Sequence, residues 1–521
     1  MTIISEKSKN IFKTSAYAAV VTGLIAHAFI YTNIAYGRDN SCISVSDVHM
    51  DLSGTKWLQF VLYYLTGKQN LPWLSGVISI AAMAVVTYML IKMFKIKSVV
   101  GIWITAGICQ TSPSIISSNT YGFSYIFYIA LLFAVMGAYF AWNEERFGRK
   151  RYILSILSIM ASAAMYGSYI TVTSTIMLMI LIMGVLYGEK TVCIIKEGIG
   201  YLVCLCGGFL SFYVVLRILM VLTSQKIQSY MGEDVLASTK AAARIDHLQQ
   251  LKAIFLRAFQ YYFRYSFTPH ILNTVIIIAG AILLIYMFFR NNKEQRISKI
   301  TLLILIVVIL PISMDMLELL GDTVHYLMYF SYVIPYIMLI SMTELFLNNK
   351  KDSQRAEQII CSAFSIVLSL MVYYGFVLSN TAYIRWVNYY QETYSLCTRI
   401  IDRIETCNGY TGNEDVVLIY NNAAVNSYVH TTGIDRIPML TGLGNPDDNK
   451  VNGFSTSTMA GIFGNILGFS PDISAYKDVD TYASDTKLTE MEKYELENMK
   501  VFPNSKCTDK IGDTIIVVLS E

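Results

Sequence analysis

Three carboxylates gather in a short stretch near the start of the chain, Asp39, Asp47 and Asp51, with Arg38 and His49 among them. A carboxylate partly withdrawn from water holds its proton to higher pH, which suits it to act as general base toward a sugar hydroxyl. The chemistry this points to is glycosyl transfer at a membrane face, with any of the three as the base. A plainer role competes for each acid alone. Loop carboxylates are commonly solvated or cap helices, and Asp51 stands just before Leu52-Ser53-Gly54, where a helix start would use it. The cluster argues for more than any single member does.

A second group, Asp315, Glu318, Asp322 and His325, lies beyond Pro311 at the end of an apolar run. Ionisable side chains beside a membrane span are costly unless they pair or line a cavity. Helical spacing would set Asp315, Glu318 and Asp322 on one face, opposite a basic partner from the stretch 224–269 or just after it: Arg257, Arg264 or His270. If the sugar donor is a polyprenyl phosphate sugar, its departing phosphate needs a cation or amide donors, and a guanidinium fork meets two phosphate oxygens at once. Arg264 is the expected phosphate ligand, with Arg38 in reserve and Arg257 beside it. Snorkelling at a helix end, or attraction to lipid headgroups, is the competing account of all three. Tyr121, Tyr125, Tyr166 and Tyr169 suit an aromatic belt better than a sugar platform.

No Gly-rich phosphate loop, dinucleotide fingerprint, HExxH or GxSxG pattern occurs, so ATP-driven, nicotinamide-dependent, zinc-protease and serine-hydrolase chemistry have no support. The nine cysteines form no CxxC pair, so no metal site is expected and a divalent metal is unsupported. A net charge of +3 is too small to argue for a nucleic-acid partner.

The elements that must position these groups are membrane spans. Of 521 residues, 54% are hydrophobic and 15% charged, against roughly 25% charged in a soluble domain. Apolar runs of spanning length fall at 12–33, 71–94, 98–116, 121–142, 151–167, 169–187, 197–223, 270–290, 300–318, 324–346 and 357–380, which predicts a polytopic α-helical membrane protein of about eleven transmembrane helices. Every second connection is basic: Lys92, Lys95 and Lys97; Arg146, Arg149, Lys150 and Arg151; Lys190 and Lys196; Arg290, Lys293, Arg296 and Lys299; Lys350, Lys351 and Arg355. The positive-inside rule then predicts a cytoplasmic N-terminus, reached through an uncleaved signal anchor after Lys7, Lys9 and Lys13, and an extracytoplasmic C-terminus.

Residues 1–380 are therefore read as a transmembrane domain with long external loops at 34–70 and 224–269, and 381–521 as an extracytoplasmic domain. In the first loop, Lys56 to Leu65 is too short to span but repeats aromatics at Trp57, Phe60, Tyr63 and Tyr64, which predicts an interfacial helix with Trp57 at the substrate side. In the second, 235–264 reads as amphipathic helix carrying Arg244, Lys252, Arg257 and Arg264. The last 140 residues show strand-like runs at Val416–Tyr420 and Thr514–Leu519 separated by Gly- and Asn-rich turns, a small α/β unit. Cys42, Cys397, Cys407 and Cys507 fall in external segments, where a disulfide such as Cys397 with Cys407 is open.

In its order of features the chain resembles the Gtr type II family of bacterial glucosyltransferases. An acidic loop at Arg38-Asp39 follows the first span, then Ser53-Gly54-Thr55-Lys56-Trp57-Leu58, then Leu71-Pro72-Trp73-Leu74; these look like the family's acid, Gly-Arg-Trp and Leu-Pro-Trp succession. Met165-Tyr166-Gly167-Ser168-Tyr169 looks like its span-turn-span connection, and Phe502-Pro503 to Ile515-Ile516-Val517-Val518-Leu519 like its terminal strand. The chain departs from the pattern in having Arg38-Asp39 for adjacent acids and Thr55-Lys56 before Trp57. The resemblance implies a GT-C-like fold in a bacterial inner or plasma membrane. It also implies a polyprenyl-phosphate-linked glucose donor, a glycan acceptor such as O-antigen or surface polysaccharide, and a companion flippase and polyprenyl-phosphate glucosyl synthase. Rival readings are a lipid-linked oligosaccharide flippase or secondary transporter, an oligosaccharide polymerase or ligase, and a non-catalytic scaffold. Ionisable residues gathered at one face, with long external segments, weigh against a transporter.

Overall fold

The computed structural model describes residues 6–35, 52, 55–227, 246–264, 269–292, 295–320, 325–348, 355–420 and 461–520. Arg38, Asp39, Asp47, Asp51 and Asp322 lie outside the described residues, as does Cys42. Two compact units are formed, one from Met1–Tyr31, Asp47–Asn119 and Phe123–Asn380, the other from Thr32–Ser46, Thr120–Gly122 and Thr381–Glu521.

The first unit is helical. In chain order its helices are α1 (Glu6–Thr32), α2 (Gln59–Tyr63), α3 (Pro72–Met93), α4 (Val99–Gln110), α5 (Pro113–Ser118), α6 (Tyr125–Trp142), α7 (Glu144–Phe147), α8 (Lys150–Tyr166), α9 (Ile170–Leu186), α10 (Thr191–Thr223), α11 (His247–Phe263), α12 (His270–Asn291), α13 (Arg296–Met314), α14 (Ile334–Asn348) and α15 (Arg355–Glu405), which continues into the second unit. Short 3₁₀ turns follow α2, α8 and α13, and another, Tyr326–Val333, leads into α14. Among the described residues nine helices are long and apolar enough to cross a membrane, and Val203, Leu210, Ile278, Ile282 and Leu305 on α10, α12 and α13 point outward. Such surfaces are compatible with lipid and not with water, so the chain is a polytopic membrane protein.

The nine differ from the expected eleven at two places, each with a local cause. The run 98–116 is not one helix: Ser112 adopts an extended conformation before Pro113, which disfavours helix at that position, and its hydroxyl accepts from Ile115 N at 3.3 Å to start α5 afresh. That leaves α4 with twelve residues, too short to span alone. The stretch 150–186 is nearly continuous helix, broken by the extended Tyr166 and a 3₁₀ turn at Gly167–Tyr169. Its two arms nevertheless run in opposite directions. Arg151, Ile156 and Ile159 of α8 meet Glu197, Gly207 and Gly208 of α10 in ascending order, whereas Leu181 and Gly184 of α9 meet Gly198 and Ile194 in descending order.

One end of this unit collects aromatic and polar side chains. Leu58 N donates to Ala164 O at 3.0 Å, Leu52 N to Gln225 Oε1 at 2.9 Å, and Tyr125 Oη to Leu62 O at 2.8 Å. Ser174 of α9 donates to Ser313 O of α13 at 3.1 Å, which sets the end of α13 in the same layer. The opposite end carries the basic turns. Buried Arg151 is bonded to Glu197, and buried Lys299 donates to Asn292 Oδ1 at 2.7 Å and to Gly188 O at 3.1 Å.

The interfacial helix expected at 56–65 starts only at Gln59, as α2, and a 3₁₀ turn carries it to Thr66, where Gly67 and Lys68 at positive φ close it. The amphipathic stretch 235–264 is helical from His247, where Asp246 accepts from Leu248 N and Gln249 N at 3.1 Å each; residues 235–245 lie outside the described residues.

The second unit contains a four-stranded sheet of β1 (Asp415–Ile419), β2 (Ile473–Tyr476), β3 (Thr508–Ile511) and β4 (Thr514–Val518) in the order β2-β1-β4-β3. Central β1 pairs in parallel with β2 and β4, and β3 turns back antiparallel on β4 through Gly512 at positive φ. Val417, Ile419, Ile511, Ile516 and Val518 form its core with Tyr482 of α16 (Val479–Asp485) and Leu496 of α17 (Glu490–Asn498), the latter opened by a Thr489/Glu492 capping box. Cys397 and Cys407 are free thiols. Ten residues along a helical path place them about 15 Å apart, far beyond disulfide reach.

Candidate functional site

Arg257 of α11 reaches the turn after α13 and binds two carboxylates through one nitrogen: Nη1 donates to Asp315 Oδ2 and, at 2.7 Å, to Glu318 Oε2. The two acids converge because α13 ends at Met314, just before them. Asp315 has left helical geometry as the C-cap, Glu318 N donates to Asp315 O at 3.1 Å, and the chain continues as a 3₁₀ turn over Met316–Leu320. In 3₁₀ geometry positions i and i+3 eclipse, so the pair faces one way. For Asp315 and Glu318 the basic partner from the long loop is Arg257, met on a 3₁₀ turn in place of the α-helical spacing assumed; Asp322 lies outside the described residues.

Tyrosines hold the arrangement. Tyr332 Oη donates to Asp315 Oδ2 at 3.4 Å, and Tyr262 Oη donates to Tyr332 O at 2.8 Å, tying α11 to the turn before α14. Ser331 Oγ donates to Met314 O at 2.8 Å, and Asn273 Nδ2 of α12 to Tyr262 O at 2.7 Å. Tyr261 packs on Tyr332 with ring centroids 4.7 Å apart.

The side chains of Asp315 and Glu318 are 1% and 8% exposed, and that of Arg257 19%. Burial pushes the Asp315 carboxyl up to about 6, against the pull of Arg257, and the charge of Glu318 adds to the rise. Burial works against the Arg257 charge, but the hydrogen bond to Glu318 and the field of Asp315 more than offset it and raise its pKa. Two carboxylates against one guanidinium leave the ionised cluster one charge negative. Nη1 of this guanidinium is committed, and the net negative charge beside it disfavours a further anion.

The other expected site residues are placed differently. Arg264 ends α11, exposed and outside the cluster, with His270 Nδ1 lying 3.2 Å from its carbonyl oxygen. His325 is exposed and opens the Tyr326–Val333 turn. Trp57 packs against Leu52, Ala163, Ala164, Phe212 and Leu216, and its Nε1–H is buried with no acceptor among the described residues. Lys56 Nζ stands 6.0 Å from the centre of the Tyr166 ring. Arg38, Asp39, Asp47, Asp51 and Asp322 lie outside the described residues, but the flanks Tyr31 and Leu52 are fixed at the aromatic end.

Sequence reasoning missed the polar core beside those flanks. Tyr31 Oη lies 3.3 Å from Tyr128 Oη, and Asn119 Nδ2 donates to Tyr128 Oη at 2.8 Å. A buried Asn between two spans is the signal that would have found it, since a polar group in lipid needs a partner. Among the described residues no cluster of three His, Cys, Asp or Glu side chains suited to a metal occurs.

A search of curated proteins and a search of solved structures returned no match. The family model described as Glucosyl transferase GtrII matches residues 28–336, well over half of the chain. That segment runs from α1 through the acid-rich loop, Trp57, Arg257, Asp315 and Glu318; the terminal strand that resembled the family lies beyond it. The chain belongs to the GtrII glucosyl transferase family.

Proposed function

We propose that this protein moves glucose from a polyprenyl-phosphate-linked donor to a surface glycan on the extracytoplasmic face of a bacterial inner or plasma membrane. The observation that carries the reading is that the family-matched segment contains both the acid-rich loop and the Arg257–Asp315–Glu318 cluster, with the loop's flanks and the cluster at one end of the helical unit. The basic turns at the other end support a cytoplasmic N-terminus by the positive-inside rule.

In this scheme the donor lipid lies among the spans and its glucosyl phosphate meets the acceptor at the aromatic end. Asp39 takes the proton of an acceptor hydroxyl, with Asp47 and Asp51 next in line. The new bond forms from that oxygen to the anomeric carbon as the bond to the phosphate oxygen breaks, with inversion. Polyprenyl phosphate departs with its charge met by Arg264 or Arg38. Arg257 is spent on Asp315 and Glu318, so it positions α11, and with it Arg264, in preference to binding phosphate. Exposed Leu248, Phe255, Leu256 and Phe259 make α11 a helix suited to the lipid interface, beside which the donor would enter. The protein requires a flippase and a polyprenyl-phosphate glucosyl synthase to load that donor.

The test is transfer of labelled glucose from synthetic polyprenyl-phosphate glucose to polysaccharide by the protein in lipid nanodiscs. Asp39→Asn should abolish transfer in folded protein. Full transfer by that variant removes Asp39 as the base, and no transfer by the wild type removes the reading.

A further inference from the structure

In the second unit, α15 continues past Asn380 as a polar helix whose buried side, Val387, Leu396, Cys397, Ile400 and Ile404, is apolar. Another of its sides bounds a cavity of about 340 Å³ lined by Asn388, Gln391, Glu392, Ser395 and Arg399. The spacing repeats at three and four residues, so these groups form one stripe along the helix. The volume falls in the roughly 300–1,000 Å³ range of small-molecule sites.

The composition of the stripe is selective. All five side chains carry hydrogen-bonding groups: two amides, a hydroxyl, a carboxylate and a guanidinium. The carboxylate and guanidinium balance, so the cavity offers no net attraction to an anion or a cation. Asn388, Gln391 and Ser395 spend no side-chain hydrogen bond on another described residue, and the Arg399 guanidinium rests 5.3 Å from the centre of the Phe502 ring. Planar amide, carboxylate and guanidinium groups each engage two neighbouring hydroxyls at once, and half-exposed Tyr394 on the same helix offers a ring face. An uncharged, hydroxyl-rich ligand satisfies the open groups of Asn388, Gln391 and Ser395.

We propose that this groove binds the acceptor glycan, a neutral stretch of surface polysaccharide, and thereby sets acceptor affinity apart from the chemistry of transfer. The proposal rests on the glucosyltransferase reading for the identity of that glycan. The probe is polysaccharide purified from cells lacking this protein. Its binding to the full chain in nanodiscs is measured alongside glucose transfer, for the wild type, the double variant Asn388→Ala/Gln391→Ala, and Ser395→Trp, which fills the groove. Thermal unfolding and gel filtration verify that each variant is folded.

Loss of two to three hydrogen bonds should weaken polysaccharide binding and raise the acceptor KM about tenfold or more, with kcat and the donor KM unchanged. Wild-type protein that binds no polysaccharide, or variants with unchanged binding and acceptor KM, overturn the assignment. Groove-dependent binding without any glucose transfer sustains the groove and removes the transferase reading. Transfer with an acceptor KM indifferent to both variants removes the groove alone.

Discussion

Arg257 and Glu318 meet at 2.7 Å across elements sixty-one positions apart in the chain, and the guanidinium nitrogen that joins them also serves Asp315. One side chain thereby fixes the amphipathic helix α11 to the end of α13. The layer so formed holds the polar chemistry of the helical unit.

Removing that nitrogen leaves two buried carboxylates without their cation. Arg257→Met should destabilise the protein by about 3–5 kcal/mol, the cost of breaking a buried pair from one side. The triple change Arg257→Met, Asp315→Asn, Glu318→Gln should recover a large part of it. Thermal unfolding in one detergent and pH checks both, and equal melting temperatures for the single and triple variants would contradict the account.

Asp315 gives a pH signature of unusual sign. Its folded pKa lies above the ordinary carboxylate value, at about 6, so its contribution is fully present in acid and is lost as pH rises through that value. From pH 5 to pH 7.5 the melting temperature of the wild type should fall relative to that of Asp315→Asn. A difference between the two that stays flat across this window would show that burial does not govern the group.

Glu414 behaves oppositely. Its carboxylate accepts from Lys510 Nζ at 2.7 Å and from the amides of Thr411, Gly412 and Asn413, which hold its pKa well below the usual range. Its contribution is present above that range and is lost as pH falls below it. Glu414→Gln should loosen the turn before β1, with faster amide exchange at residues 411–416 at neutral pH and little difference from wild type in strong acid.

The parallel contact of α8 and α10 depends on absent side chains. A β-carbon on Gly208 would stand 2.5 Å from Ile159 Cγ2. Gly208→Leu should cost about 1–3 kcal/mol by overpacking. Gly208→Leu combined with Ile159→Ala, which makes room for the added side chain, should unfold nearer the wild-type temperature than Gly208→Leu alone, which tests the contact directly.

The sequence by itself determined the class of the molecule, because spanning the bilayer is a matter of apolar length, and length is local. It also determined the basic turns, the two strand runs of the second unit and the family-like order of acid, tryptophan and Pro-Trp features. The tertiary structure decided what local pattern cannot carry. The run 98–116 breaks at Ser112 because of Pro113, whereas the fold-back of 150–186 falls at the Tyr166-Gly167-Ser168 turn that the sequence already marked. It chose Arg257 over Arg264 and His270 as partner of the acids, since only Arg257 lies on the face of α11 turned toward the end of α13. A buried charge must find its counter-charge in space, and that choice belongs to helix packing, which spacing along one chain does not encode.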